Sequence, residues 1–416
     1  MLRFLVLGVV SLTLLIHAMS QTAIAVAFPQ ITSSFDVSIV LAGWVLTAFQ
    51  MAIIVSIPLA GKASDALGRK RTFIFVVMVF TVGSFLSAIA PNIYWLILSR
   101  AIQGAGAGGF VTSAAGIIAD TFPEKRQRYV GLITSIIAVG TVLGPNVGGW
   151  LTQYFGWRSI FWVATPWGIG ALIVAAVLLK PDGTVKKVDF DIKGAAFFAF
   201  AMVALMVGLT TLGGGATKTS WPLAVMSLAL GFAFMLVFWR HERGARSPMI
   251  DLELLRGKSF AAANVFNLIV GVSLAAFVTL LPLYAVSVYG ASTLESGLIV
   301  TPRAVAVTGA SIITSFMLVR WGYRRPLLAG TAVMILASFL LALELNAIAL
   351  PGVTLSGIGV MLTVVALSGL GIGLIQPAAN NACIELLPER ISTITGVRQI
   401  CRNVGFALGI ALGTMV

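Results

Sequence analysis

Apolar residues gather along the chain into thirteen stretches separated by polar turns. They cover roughly 4–28, 40–60, 72–90, 93–119, 129–152, 158–179, 193–213, 221–239, 259–283, 294–318, 327–345, 353–381 and 392–416. Each is long enough, or nearly so, to cross ~30 Å of hydrocarbon as a helix. A bilayer offers backbone groups no water, so such stretches are expected as helices that satisfy their own hydrogen bonds. The pattern predicts an all-α membrane protein of about thirteen spans.

Composition narrows the classes. Of 416 residues, 59% are hydrophobic and 10% charged, against ~25% charged in an average soluble domain. There is too little polar side chain to cover a water-soluble globule, and the same excess of apolar residues excludes disorder. Two cysteines, Cys383 and Cys401, exclude a disulfide-stapled secreted domain.

The net charge of +13 would suggest nucleic acid on a soluble protein. Here its placement decides. Of the 27 Lys and Arg, 21 fall on the side of the membrane that holds Arg3, and only Arg158 and Lys218 on the other. Arg100, Arg303, Arg398 and Arg402 lie within spans. This asymmetry predicts a cytoplasmic N-terminus in a plasma membrane. The basic balance is therefore an orientation signal, and nucleic acid is rejected as a partner. The first span shows no small-residue cleavage site and is expected to stay in place.

The spacing of charged linkers divides the chain. Six spans with short loops occupy 1–180, linkers and two inserted spans occupy 181–257, and five spans occupy 258–416. Two helical bundles with an inserted pair is a transporter layout. The last apolar stretch ends at Val416, and a final helix is expected beyond it. Small residues crowd three spans: Gly104 to Gly109, Gly140/Gly144/Gly148, and Gly369/Gly371/Gly373 ahead of Pro377. Such stripes let helices approach closely, either as plain packing or as surfaces that tilt as a cavity opens.

Two apparent nucleotide motifs are set aside. Gly104 to Gly109 fits G-x-G-x-x-G but lies in an apolar helix rather than after a strand. Gly213 to Ser220 has Thr217 where a phosphate loop needs Gly. Only His17 and His241 are present, so no metal-ligand spacing exists and no cofactor is expected. A membrane-embedded enzyme would need clustered His, Asp or Glu, which also argues against catalysis.

One loop is distinctive. It reads Gly61-Lys-Ala-Ser-Asp65-Ala-Leu-Gly68-Arg69-Lys70-Arg71. Two glycines permit a sharp turn, and an acid sits at a helix end beside three cations. This resembles the signature loop of the major facilitator superfamily. Arg100-Ala-Ile-Gln103-Gly104 resembles that family's fourth-helix motif. Gly140 to Gly149, with Gly144, Pro145 and Gly148, resembles the antiporter motif of its drug/proton exporters. Gly156 to Phe161 resembles the outside approach to its sixth helix. The inserted pair is similar to the fourteen-helix drug/proton antiporter branch. The second copy of the signature loop is decayed: Gly322, Arg324 and Arg325 remain, with Val319 in place of the Asp.

The resemblance implies a two-bundle fold, alternating access, and proton-coupled efflux of small amphipathic compounds by a monomer, without nucleotide. A carrier for an anionic metabolite is the alternative. For Arg100 and Gln103 it implies a structural and proton-relay role. One departure bears on coupling: where the branch carries an Asp and an Asn in the first helix, this chain has Ser20 and Ala25.

None of the fourteen acids falls at mid-membrane, which leaves His17 as the titrating group there. Thr13, His17, Ser20 and Gln21 share a helix face. A polar face is costly against lipid, so it should meet a cavity or a partner helix. His17 then either takes over the missing acid's proton role or is a neutral histidine between helices. Buried cations cost ~3 kcal/mol at mid-bilayer even on the mild insertion scale, so Arg100 and Arg303 should face the interior. Gln50, Gln376 and Asn380 are candidate cavity residues with Ser20 and Gln21, and Arg303 is either a helix-packing cation or a substrate contact in that cavity. Interior cations without interior anions favour neutral, amphipathic or anionic substrates. Asp65 and Asp120 are expected to cluster with Arg69, Lys70 and Arg71 as a latch.

Overall fold

A computed structural model describes residues 2–179, 191–212, 221–245, 248, 257–275, 277, 281, 284–286, 290, 292–343, 347–350, 353–386 and 391–413. Asp65, Lys125, Arg126, Arg128 and Val319 are described by backbone alone. Lys218, the 213–220 segment and the expected domain boundary near 180 lie outside the described residues.

The first half holds α1 (Leu2–Phe35), α2 (Ile39–Leu67), α3 (Arg69–Ala88), α4 (Ile93–Ala107), α5 (Phe110–Thr121), α6 (Arg126–Phe155) and α7 (Arg158–Leu178). The inserted pair is α8 (Ile192–Leu212) and α9 (Trp221–Gly244). The second half holds α10 (Lys258–Ala275), α11 (Thr293–Ile299), α12 (Thr301–Trp321), α13 (Arg324–Ala342), α14 (Gly357–Leu386) and α15 (Ile391–Gly413). Among the described residues, eleven helical segments are long and apolar enough to cross a membrane. Two further long helices, α6 and α15, fill the stretches read as the fifth and thirteenth spans. The count of thirteen rests on those two.

Three spans differ from the sequence expectation. The fourth breaks at Gly108–Gly109 into α4 and α5, and the tenth breaks at Val300 into α11 and α12, with Pro302 opening α12. Proline lacks an amide hydrogen and fits the first turn. The twelfth does not begin as helix at 353. Residues Val353–Ser356 form strand β2, antiparallel to β1 (Ala347–Leu350), with Ala347 opposite Ser356.

Local chemistry sets the boundaries. Ser38 caps α2, its Oγ accepting from the Leu41 amide at 3.3 Å, and Asn92 Oδ1 caps α4 by accepting from Trp95 N at 2.9 Å. Gly68 ends α2 and starts α3 in one residue at φ 101°, a backbone state costly for side chains with a Cβ. Buried hydroxyls spend their hydrogen on the preceding turn, as Thr81 does on Val77 O at 2.7 Å and Ser84 on Phe80 O at 2.9 Å.

In the first half α1 packs on α6 and α7, α4 on α2 and α3, and α3 on α7. In the second, α10 packs on α15, and α14 on α12 and α13. The halves meet where α2 lies along α15 and α6 along α11 and α12.

Candidate functional site

At the centre of the first half lies Arg100, fully buried on α4. Its Nη1 donates to Gln103 Oε1 at 2.5 Å and its Nε to Val45 O at 3.3 Å. Gln103 Nε2 donates onward to Ser84 Oγ at 2.7 Å. The guanidinium carbon stands 3.9 Å from the Phe49 ring centre and 5.8 Å from that of Phe161, within cation–π range. Arg100 is thus held by a carbonyl, an amide and two rings, with no acid paired to it among the described residues. Its Nη2 is buried with no partner.

His17 lies one layer toward α3 and α5. Its ring is edge-on to Phe110 at 5.2 Å and near Phe80 at 6.3 Å, and Nδ1 is buried without a partner. Thr13 and Ser20 are buried beside it. The polar face of α1 therefore meets partner helices. Gln21 meets α2, its Nε2 donating to Gln50 Oε1 at 3.0 Å. Gln376 and Asn380 are half-buried on α14, and Asn380 Oδ1 has no partner. Arg303 is 6% exposed on α12, with Nε and Nη2 unpartnered. Phe49 is buried under Arg100, while Trp162 and Trp167 are exposed on α7 and Trp44 is half-buried.

The antiporter-like segment splits into two faces. Gly140, Gly144 and Gly148 lie on α1: a Cβ at Gly140 would stand 2.7 Å from Leu15 O, and one at Gly144 2.8 Å from Met19 O. Pro145 and Gly149 face the other half, where Gly297 of α11 rests on the Pro145 carbonyl. Asn146, between them, accepts from Thr301 Oγ1 at 2.8 Å with its Oδ1. A cluster of Ile24, Phe28, Ile31 and Val45 with Ala275 and Ile410 joins the halves at the same end. The halves are in contact at the end away from Gly68.

At the Gly68 end, Arg69 Nη1 pairs with Asp120 Oδ1 at 2.6 Å and donates to Gly116 O. Lys70 Nζ donates to Ala176 O and Leu179 O, each at 2.7 Å, capping the last turn of α7. These ties run within the first half. Lys62 Nζ reaches the second linker, donating to Pro248 O at 3.0 Å. Gly61 has open space around it. The Asp65 side chain lies outside the described residues.

Sequence reading missed a second polar group here. His241 Nε2 lies 2.7 Å from Asp191 Oδ1, and Glu242 is buried beside them within electrostatic reach of Lys62. Burial alone would raise the Asp191 carboxyl, but the Gly194 amide and the His241 ring outweigh it and hold it below its usual value. The residues lie 50 positions apart, so no local pattern joins them.

The chain is similar to known transporters along nearly its whole length. The family model described as Major Facilitator Superfamily matches residues 10–410. Multidrug resistance protein 3 of Bacillus subtilis (strain 168) is 30% identical over 419 aligned positions, covering 99% of this chain and 78% of that protein. The Multidrug resistance protein B homolog of Mycobacterium tuberculosis (strain ATCC 25618 / H37Rv) is 29% identical, covering 97% and 74%. Among solved structures, an inward-facing, unoccupied bacterial homolog of the human lysosomal transporter Spinster superposes with a TM-score of 0.60 at 19% identity, covering 100% of this chain and 81% of that one. An auto-inhibited POT family peptide transporter gives 0.66 at 15% identity, covering 98% and 88%.

Proposed function

The chain belongs to the major facilitator superfamily, and from that premise we propose that it exports small amphipathic compounds in exchange for protons by alternating access. It is a multi-pass membrane transporter and not an enzyme. The observation that carries the export reading is the match to multidrug transporters over nearly the whole chain. Closure between Asn146 and Thr301 at one end supports alternating access, because a carrier of this type closes one end at a time.

The charge asymmetry favours a plasma-membrane protein with a cytoplasmic N-terminus. On that orientation the closed end is the outer one. The proton gradient supplies the energy, the chain acts as a monomer, and 1–180, 181–257 and 258–416 are its working units. Coupling without a first-helix Asp falls to His17 beside the Arg100–Gln103 pair. A carrier for an anionic metabolite is the second reading, supported by Arg303, Arg398 and Arg402, which pair with no carboxylate among the described residues.

Dye flux in sealed vesicles tests this. Efflux that follows an imposed pH gradient, with one-directional proton counterflow, is the expected result. Flux indifferent to the gradient removes exchange, and net gradient-driven uptake of an anion moves the reading to the alternative. His17→Asn should flatten the pH dependence of flux; an unchanged dependence ends its proton role.

A further inference from the structure

On α15, Arg398 and Arg402 lie one turn apart. Arg398 is 7% exposed, and its Nε is buried without a partner. The Arg402 carbonyl lies against Gly271 of α10, and the two arginines are within electrostatic reach of one another. Cys383 of α14 lies within reach of Arg398 and accepts from Asn267 Nδ2 at 3.8 Å. Asn264, on the same face of α10, leaves its Oδ1 buried and unpartnered. Among the described residues no carboxylate lies within ion-pair distance of either arginine. Glu385 of α14 is held by the Tyr323 hydroxyl.

The fold itself does not need these cations. Gly405 and Gly409 pack α15 on α10 as Gly140 and Gly144 pack α6 on α1. In that register Arg402 takes the place of Ile137, which sits in an apolar cluster. Two like charges one turn apart repel, and a buried charge without a counter-charge is costly. A guanidinium offers a planar fork that matches carboxylate, sulfonate and phosphate oxygens.

We infer that Arg398 and Arg402, flanked by Asn264 and Asn267, bind the anionic head of an amphipathic molecule. This rests on the transport reading and names the chemistry of what is carried. The anion sits against α15 and α10, with its apolar body left to the rest of the interior.

The test uses the full chain in phosphatidylcholine nanodiscs and three naphthalene probes bearing a sulfonate, no charge or a trimethylammonium. Equilibrium binding should favour the sulfonate at least tenfold over the trimethylammonium. R398Q and R402Q should each cut the sulfonate-to-neutral ratio about tenfold, R398K should restore part of it, and inorganic sulfate should compete on the wild type. Equal or tighter binding of the trimethylammonium probe, or an unchanged ratio in folded R398Q, overturns the inference. Should R398Q not fold, R398K and sulfate competition decide alone. Phosphatidylglycerol nanodiscs form the second arm. If that lipid displaces the sulfonate from the wild type, the anion is a headgroup, and the site is not one for substrate. Because binding is read without flux, dyes that bind but never move would sink the carrier reading and leave this site standing.

Discussion

The two halves are built on one backbone frame and carry different chemistry. Gly104 rests on the Phe49 carbonyl and Gly369 on that of Arg303; Gly108 rests on Ile53 O and Gly373 on Val307 O. Gly106 and Gly371 pack on the residue pairs Val76/Phe80 and Gly330/Met334. Gly68 and Gly322 both turn at positive φ. The side chains on that frame do not correspond. Where the first half puts Arg100 over Phe49 with Gln103 as partner, the second has Val365, Arg303 and Ser368 in the same register. Glycine is held wherever backbones touch, because any Cβ would collide. The polar positions are free to differ, and so one half holds a cation with two hydrogen bonds and a ring beneath it, while the other holds three with no side-chain partner of that kind among the described residues.

The largest test of that contrast is at the arginines. Arg100→Leu strips Gln103 Oε1 and Val45 O of their donor and should cost about 1–3 kcal/mol. Arg303→Leu loses no side-chain hydrogen bond among the described residues and should stay within about 1 kcal/mol or stabilise. Thermal unfolding of the two proteins in detergent decides; equal losses would break the contrast. The shared frame is tested next. Gly104→Ala and Gly369→Ala should each cost about 1–3 kcal/mol by forcing helices apart, and a loss in one half alone would mean the frame is not equivalent.

Smaller still is the contact between the halves. Thr301→Ala removes its hydrogen bond to Asn146, worth about 1 kcal/mol. It should raise the open fraction at that end several-fold, read by cysteine crosslinking across α6 and α12. The inserted pair stands outside the repeat and gives the smallest change. Because the folded Asp191 carboxyl titrates below its unfolded value, its contribution is complete at neutral pH and is lost as pH falls through that lower value. Asp191→Asn should therefore lower the melting temperature slightly at pH 7, and the gap from wild type should close in acid.

Much of this was legible in the residues. Apolar run length marked every long helix, the Gly68 loop and the close-packing glycines were readable by spacing, and the Arg100–Gln103 pair was implied by the family resemblance. The split of the antiporter-like segment into an α1 face and a face toward Thr301 was not, because one spacing serves both. Nor was the cage of Phe80 and Phe110 around His17, or the meeting of Asp191, His241 and Lys62, whose members come from helices far apart in sequence.

What the sequence determined alone was the solvent: too few charges to wet the surface, and enough apolar runs to span a bilayer repeatedly. Helices then follow, since backbone groups in lipid have no other partner. Which buried cation finds a partner was decided only by tertiary structure. A guanidinium's cost depends on atoms a few ångströms away, and those atoms arrive on neighbouring helices that no local pattern specifies.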